Sequence, residues 1–218
     1  MDWLQRIERL RRDGECGLVI QELDNILAIC ADDYMVLSEV GLCFKRLGRY
    51  SDALYYYDLS LNAEPTAKTL NRKGLLLLKM GRYEESVQSF RKALTLEPDN
   101  EAIHNNLGIV LDEAGRVEEA IAAYTRAIEI APEFKEAMNN LGVALDKIGN
   151  WEQAIEQYER VLLIDAGFYQ AYANMGIAYR KAGNREKAKE CYEIALRINP
   201  SNQEIQHNLE LISPELSG

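Results

Sequence analysis

The chain has 218 residues, 35 acidic and 25 basic, for a formal charge of −10. That balance argues against nucleic acid, whose phosphates demand a basic face, and suits neutral or basic ligands. No run of about 18 apolar residues is free of charge, so no membrane insertion is expected. The charged start MDWLQRIERLRRDG lacks the apolar stretch of a signal peptide, and a cytoplasmic location is the simplest expectation. Cys16, Cys30, Cys43 and Cys191 form no CxxC pair and have no ligand-like spacing, so reduced, mostly buried thiols are expected, with no metal.

A fixed period organises the rest. Residues 101–134, 135–168 and 169–202 nearly overlay when shifted by 34, the signature of a repeat array with one continuous core. In chain order, residues 1–33 read as a degenerate first unit. One helix runs from Trp3 to Arg12, Gly14 sits at the turn, and a second helix runs from Cys16 to Ile29, with Val19 and Leu23 at its small and aromatic positions. Residues 34–66 form a second unit, one residue short at the Pro65-Thr66 turn, and residues 67–100 a third. Units four to six follow at 101–134, 135–168 and 169–202. Residues 203–213 make a capping helix with Leu209 inward and Glu204, Gln206 and Glu210 outward, before a short tail at 214–218.

Unit four shows why each period must be a helical hairpin. Ile103, Leu107, Val110, Leu111 and Ala114 recur at helical spacing, Gly115-Arg116 breaks the pattern, and Ala120, Ile121, Tyr124, Ala127 and Ile128 make a second stripe. Gly108 and Ala120 are small where the helices must come close, and Pro132 closes the second helix. Glu118-Glu119 suit the dipole of its first turn.

These residues resemble the tetratricopeptide repeat family, whose pattern is W-x2-L-G-x2-Y, then A-x3-F, then P. Unit four supplies Leu107, Gly108, Leu111, Ala120, Tyr124 and Pro132, and unit six Met175, Gly176, Tyr179, Ala188, Tyr192 and Pro200. The chain departs from the pattern where Val19 and Ser86 replace the small Ala. It departs again where Ala166-Gly167 replaces a proline turn, which marks the most flexible junction. The resemblance implies an all-α fold, a right-handed superhelical α-solenoid of antiparallel helix pairs spanning residues 1–218 as one domain. It also implies a concave groove lined by the first (A) helix of each pair, and a scaffold that holds a peptide or partner helix there.

Within each repeat, the second, fifth, sixth, ninth, twelfth and thirteenth residues are expected to face that groove. Asn106, Asn140, Asn174 and Asn208 recur at the sixth position, where packing and propensity call for no Asn. Asn71, Asn105 and Asn139 add amides at the fifth. Each amide offers a donor and an acceptor, so a file of them can bind the backbone of an extended peptide. The pattern is similar to the asparagine ladder in the tetratricopeptide domain of O-linked N-acetylglucosamine transferase. The alternatives are that these amides bridge neighbouring A helices or are consensus drift in recently duplicated repeats. Leu42, Leu75, Ile109, Val143 and Ile177 form an aliphatic line at the ninth position.

Charge at the twelfth and thirteenth positions is uneven: basic at Arg11, Arg12, Lys45, Arg46 and Lys79, acidic at Asp112, Glu113 and Asp146, then basic at Arg180 and Lys181. Lys68 and Arg72 resemble part of the family's carboxylate clamp, but Leu4, Glu8 and Glu39 stand where its other members belong. A generic anion-friendly patch fits better. Tyr57 fits the core, while Tyr55 and Tyr56 project outward or toward the adjacent repeat.

No acid/base, nucleophile or metal constellation converges, and His104 and His207 fall on different units, so neither catalysis nor a cofactor is expected. The reading is a non-catalytic scaffold for a protein or peptide ligand. The alternative is a homo-oligomer that self-associates through Met1, Trp3 and Leu4 or through the outward tyrosines.

Overall fold

The computed structural model describes residues 2–212 and folds them into fourteen α-helices, with no strand among the described residues. No helix among them is long and apolar enough to cross a membrane. Met1, Ser213 and the tail 214–218 lie outside the described residues.

The chain divides into two compact units, Met1–Asn106 and Leu107–Gly218. The first holds α1 (Trp3–Arg12), α2 (Cys16–Gln21), α3 (Leu23–Cys30), α4 (Tyr34–Arg46), α5 (Tyr50–Ala63), α6 (Ala67–Lys79) and α7 (Tyr83–Leu96). Helix α8 (Glu101–Glu113) contains the boundary. The second holds α9 (Val117–Ile130), α10 (Lys135–Lys147), α11 (Trp151–Ile164), α12 (Tyr169–Lys181), α13 (Arg185–Ile198) and α14 (Gln203–Ile212). Consecutive helices pair as hairpins: α4 with α5, α6 with α7, α10 with α11 and α12 with α13.

A glycine and an aromatic ring set the closeness of each hairpin. At Gly142 an added Cβ would stand 2.5 Å from Tyr158 Cε1, and at Gly74 one would stand 2.7 Å from Phe90 Cε1. Gly41, Gly108 and Gly176 meet Tyr57, Tyr124 and Tyr192 in the same way. Any side chain there forces the ring out of the core. Ser86 is buried at a position held by Ala in repeats two, four, five and six, and its hydroxyl donates to the Gly74 carbonyl at 2.7 Å, which removes the penalty of a buried polar group. The A helices end on a left-handed glycine: Gly115 has φ 75°, and the Arg116 N–H donates back to the Leu111 carbonyl at 2.8 Å.

The first repeat departs from expectation. Its second helix is broken at Glu22 (φ −94°, ψ 8°) into α2 and α3. Ile26 is fully buried alongside Val19, while Leu23 is half-buried. Glu22 pairs with Arg6 of α1, which ties the break to the first helix. Trp3, which self-association through the chain's end would need exposed, is buried, with the Arg6 guanidinium 5.0 Å from its ring. Tyr56 is also core: it stacks on Phe44 with centroids 5.1 Å apart, while Tyr55 stays exposed. Cys16, Cys43 and Cys191 are buried and Cys30 is half-buried, and burial pushes the Cys191 thiol up to about 11.

The junction at residues 165–167 lacks a proline but carries its own ties. The Asp165 carboxylate accepts from the Gly167 N–H at 3.0 Å and from Lys135 Nζ at 2.5 Å. At the C-terminus Ile205 and Ile212 are the buried residues of α14, Leu209 is half-buried, and Glu204, Gln206 and Glu210 are exposed.

Candidate functional site

The A helices are cross-linked by side chains one repeat apart, and the links follow a register. Asn106 Nδ2 donates to Asn71 Oδ1 at 2.9 Å, and Asn174 Nδ2 donates to Asn139 Oδ1 at 3.0 Å. Each bond joins the sixth residue of one repeat to the fifth of the repeat before. The same rung between α4 and α6 is made by Arg72 Nη1, which donates to Ser38 Oγ at 2.9 Å. These are the bridges between A helices that stood as one alternative to a free ladder. They leave valences open: Asn71 and Asn139 keep their Nδ2 donors, and Asn106 and Asn174 keep their Oδ1 acceptors. All four side chains are half-buried.

Asn105, expected to face the groove, is instead 7 % exposed, unlike Asn71 and Asn139 at the same position of their repeats. Asn140 and Asn208 are half-buried. Asn208 has Ala173 at the fifth position of the preceding repeat, so it has no amide to bond there. The aliphatic line is neither fully buried nor free: Leu42, Leu75, Ile109, Val143 and Ile177 are all half-buried, each offering an apolar edge beside the amides.

A second rung joins the twelfth and thirteenth positions. Lys147 Nζ lies 2.7 Å from Asp112 Oδ2, and Lys181 Nζ lies 2.5 Å from Asp146 Oδ2. The charge alternation that looked like a property of the groove surface is therefore partly internal pairing.

In the first unit the decisive residue is Glu39, which is 2 % exposed. Its carboxylate accepts from Arg72 Nη2 at 2.6 Å and Arg11 Nε at 2.9 Å, and Lys68 Nζ stands 3.7 Å away. Burial by itself would raise its pKa, but the Arg72 hydrogen bond and charge, with the charges of Arg11 and Lys68, outweigh it and hold the carboxyl below its ordinary value. Arg72 and Lys68, expected to offer positive charge to a ligand, are thus drawn to an internal acid. Arg72 is nearly enclosed, whereas Lys68 remains largely exposed. A hydroxyl chain supports this cluster, running from half-buried Thr66 through buried Thr69 to buried Ser38. Beside it opens a cavity of about 220 Å³ whose lining includes Leu4, Glu8, Met35, Ser38, Glu39 and Lys68.

Sequence reasoning missed Glu39 as a hub, although a signal existed: once the one-residue deletion is counted, an acid and an arginine occupy the same position of adjacent repeats. The His104 Nε2 lies 2.8 Å from the Pro98 carbonyl oxygen.

Among solved structures the chain is similar to MamA, at 28% identity over 74% of this chain and 95% of that one, with a TM-score of 0.69. It is similar to YrrB, described as a tetratricopeptide repeat protein with an unusual peptide-binding site, at 25% identity over 84% and 95% of the two chains, with a TM-score of 0.69. PilF of Pseudomonas aeruginosa shares the fold, with a TM-score of 0.78 over 94% of both chains at 18% identity. No curated protein sequence matches the chain. Tetratricopeptide repeat sequence patterns match residues 71–133, 113–167 and 169–202, which together span most of the chain. With the repeated hairpins, the glycine–ring contacts and these matches in agreement, the chain belongs to the tetratricopeptide repeat family.

Proposed function

We propose that this protein is a non-catalytic interaction scaffold that binds a peptide or partner segment along its A-helix face, with the amide rungs as backbone receptors. The observation that carries this reading is the unspent hydrogen-bonding capacity at the Asn71–Asn106 and Asn139–Asn174 rungs. An amide already tied to its neighbour is fixed in orientation, so it loses little further entropy when it captures a peptide N–H or carbonyl. The flanking Leu75, Ile109, Val143 and Ile177 supply apolar contact for alternate side chains. The likeness to YrrB supports peptide binding as the mode.

The test replaces Asn106, Asn140 and Asn174 together with Ala and repeats a peptide-library pull-down with mapping of the captured sequences. The expected result is loss of most captured peptides with the helical circular dichroism unchanged. An unaltered set on a folded variant would make the rungs purely structural.

Self-association is the second reading, favoured by Ile29 and Leu163, which are 72% and 87% exposed. Mass measured over a range of concentrations separates the two. A monomer throughout removes assembly, and a concentration-dependent dimer lost in Leu163→Ser supports it.

A further inference from the structure

The twelfth-to-thirteenth rung is an ion pair wherever it is seen in the second unit, at Asp112–Lys147 and Asp146–Lys181. In the first unit the same register joins α4 to α6. That repeat is one residue shorter, so the equivalent residues are Lys45 and Lys79, 34 apart. A like-charged pair stands where the second unit places an acid and a base.

The surroundings do not neutralise it. Lys45 is half-buried and makes no ion pair among the described residues. Burial and then the charges of Lys79 and Arg72 hold its ammonium below the ordinary lysine value, with only Tyr50 acting in the opposite sense. Lys79 is also without a carboxylate among the described residues, and its Nζ lies 5.2 Å from the centre of the Tyr50 ring, a contact that positions the ammonium but leaves its donors open. Arg72, which adds its charge to the pair, is held in place by Ser38 and Glu39.

We propose that Lys45 and Lys79, with Arg72 beside them, form a subsite for a carboxylate side chain of an acidic segment in the bound peptide. This rests on the scaffold reading and gives it a chemical preference at one point. A carboxylate carries two oxygens and no donor, so it can accept from one ammonium on α4 and from the other on α6. It supplies from the ligand the charge that Asp112 and Asp146 supply internally two and three repeats later. The preference is local, because a chain of net charge −10 repels an acidic ligand at long range.

The experiment uses fluorescein-labelled decapeptides of Ser and Ala carrying either two adjacent Glu residues or two Gln residues, titrated by anisotropy against the full chain. The variants are Lys45→Gln, Lys79→Gln and, as a distant control, Lys189→Gln. The expected result is about tenfold tighter binding of the Glu peptide, the scale of a charge-assisted hydrogen bond. Each of the first two substitutions lowers that preference about fivefold or more, and the control leaves it unchanged. Both variants are expected to melt no lower than the parent, since each removes a repulsion, which separates lost binding from lost folding. Equal affinity for the two peptides, or a Glu preference that survives both substitutions, overturns the subsite, while binding of the Gln peptide leaves the scaffold reading standing. Binding of neither peptide also overturns the subsite, with the scaffold reading then decided by the pull-down on the Asn variants.

Discussion

Helices α4 and α6 in one unit and α10 and α12 in the other hold their side chains in the same register, yet fill it with different chemistry. In the second pair, amide meets amide at Asn139–Asn174 and acid meets base at Asp146–Lys181. In the first pair, Arg72 replaces the donor amide and reaches both Ser38 and a buried Glu39, while Lys45 and Lys79 stand opposite without an acid. The backbone repeat fixes which positions meet. It does not fix whether the meeting is neutral, paired or repulsive, and that choice separates a self-satisfied surface from one that seeks a ligand.

The comparison breaks most visibly at Glu39. Glu39→Gln leaves Arg11, Arg72 and Lys68 around a neutral amide, and removing one partner of a buried charge cluster costs about 3–5 kcal/mol. Chemical denaturation is expected to show that loss, with the hairpin α4–α5 opening first by hydrogen exchange. A change below about 1 kcal/mol would mean that the cluster adds nothing net. The same residue sets an acid limit. Its folded pKa lies below its unfolded value, so its contribution is present above the ordinary 4.5 and is lost as pH falls through the folded value. The parent is therefore expected to lose stability on acidification more steeply than Glu39→Gln.

A smaller effect tests the packing that both regions share. Gly142→Leu drives Tyr158 from its seat and is expected to cost about 1–3 kcal/mol, read as a lowered denaturant midpoint with faster exchange in α10 and α11. The smallest effect is expected at the paired rung. Asp112→Asn keeps the shape and weakens a bond to a half-exposed lysine, so thermal melts are expected to move by no more than about 1 kcal/mol. A loss as large as that at Glu39 would erase the distinction between the two rungs.

The parts of the fold legible in the sequence are those where a residue type has one physical use. Gly108 facing Tyr124, Gly115 at a left-handed turn and Pro132 after a helix each announce themselves. The break at Glu22 does not, because Val19 and Ile20 fit either a continuous helix or two short ones, and the Arg6 pair at the break joins residues of two different helices. At the site, the amides stood out at the right spacing, but their mutual bonds depend on a register of 35 residues rather than 34. That offset arises because neighbouring A helices are staggered, which a list of identical positions conceals. Set against the clamp pattern, Glu39 stands only as a misplaced acid. Its role follows from counting charges around it: one acid among Arg11, Lys68 and Arg72.

The glycine–ring contacts have a use beyond packing. Gly41, Gly74, Gly108, Gly142 and Gly176 each lie close against an aromatic ring. Their α-protons therefore sit in the magnetic shadow of those rings and resonate away from the crowded glycine region of a proton spectrum. Each repeat from the second to the sixth thus carries its own spectroscopic beacon, and the five signals report which hairpin opens, and in what order, without any label being added.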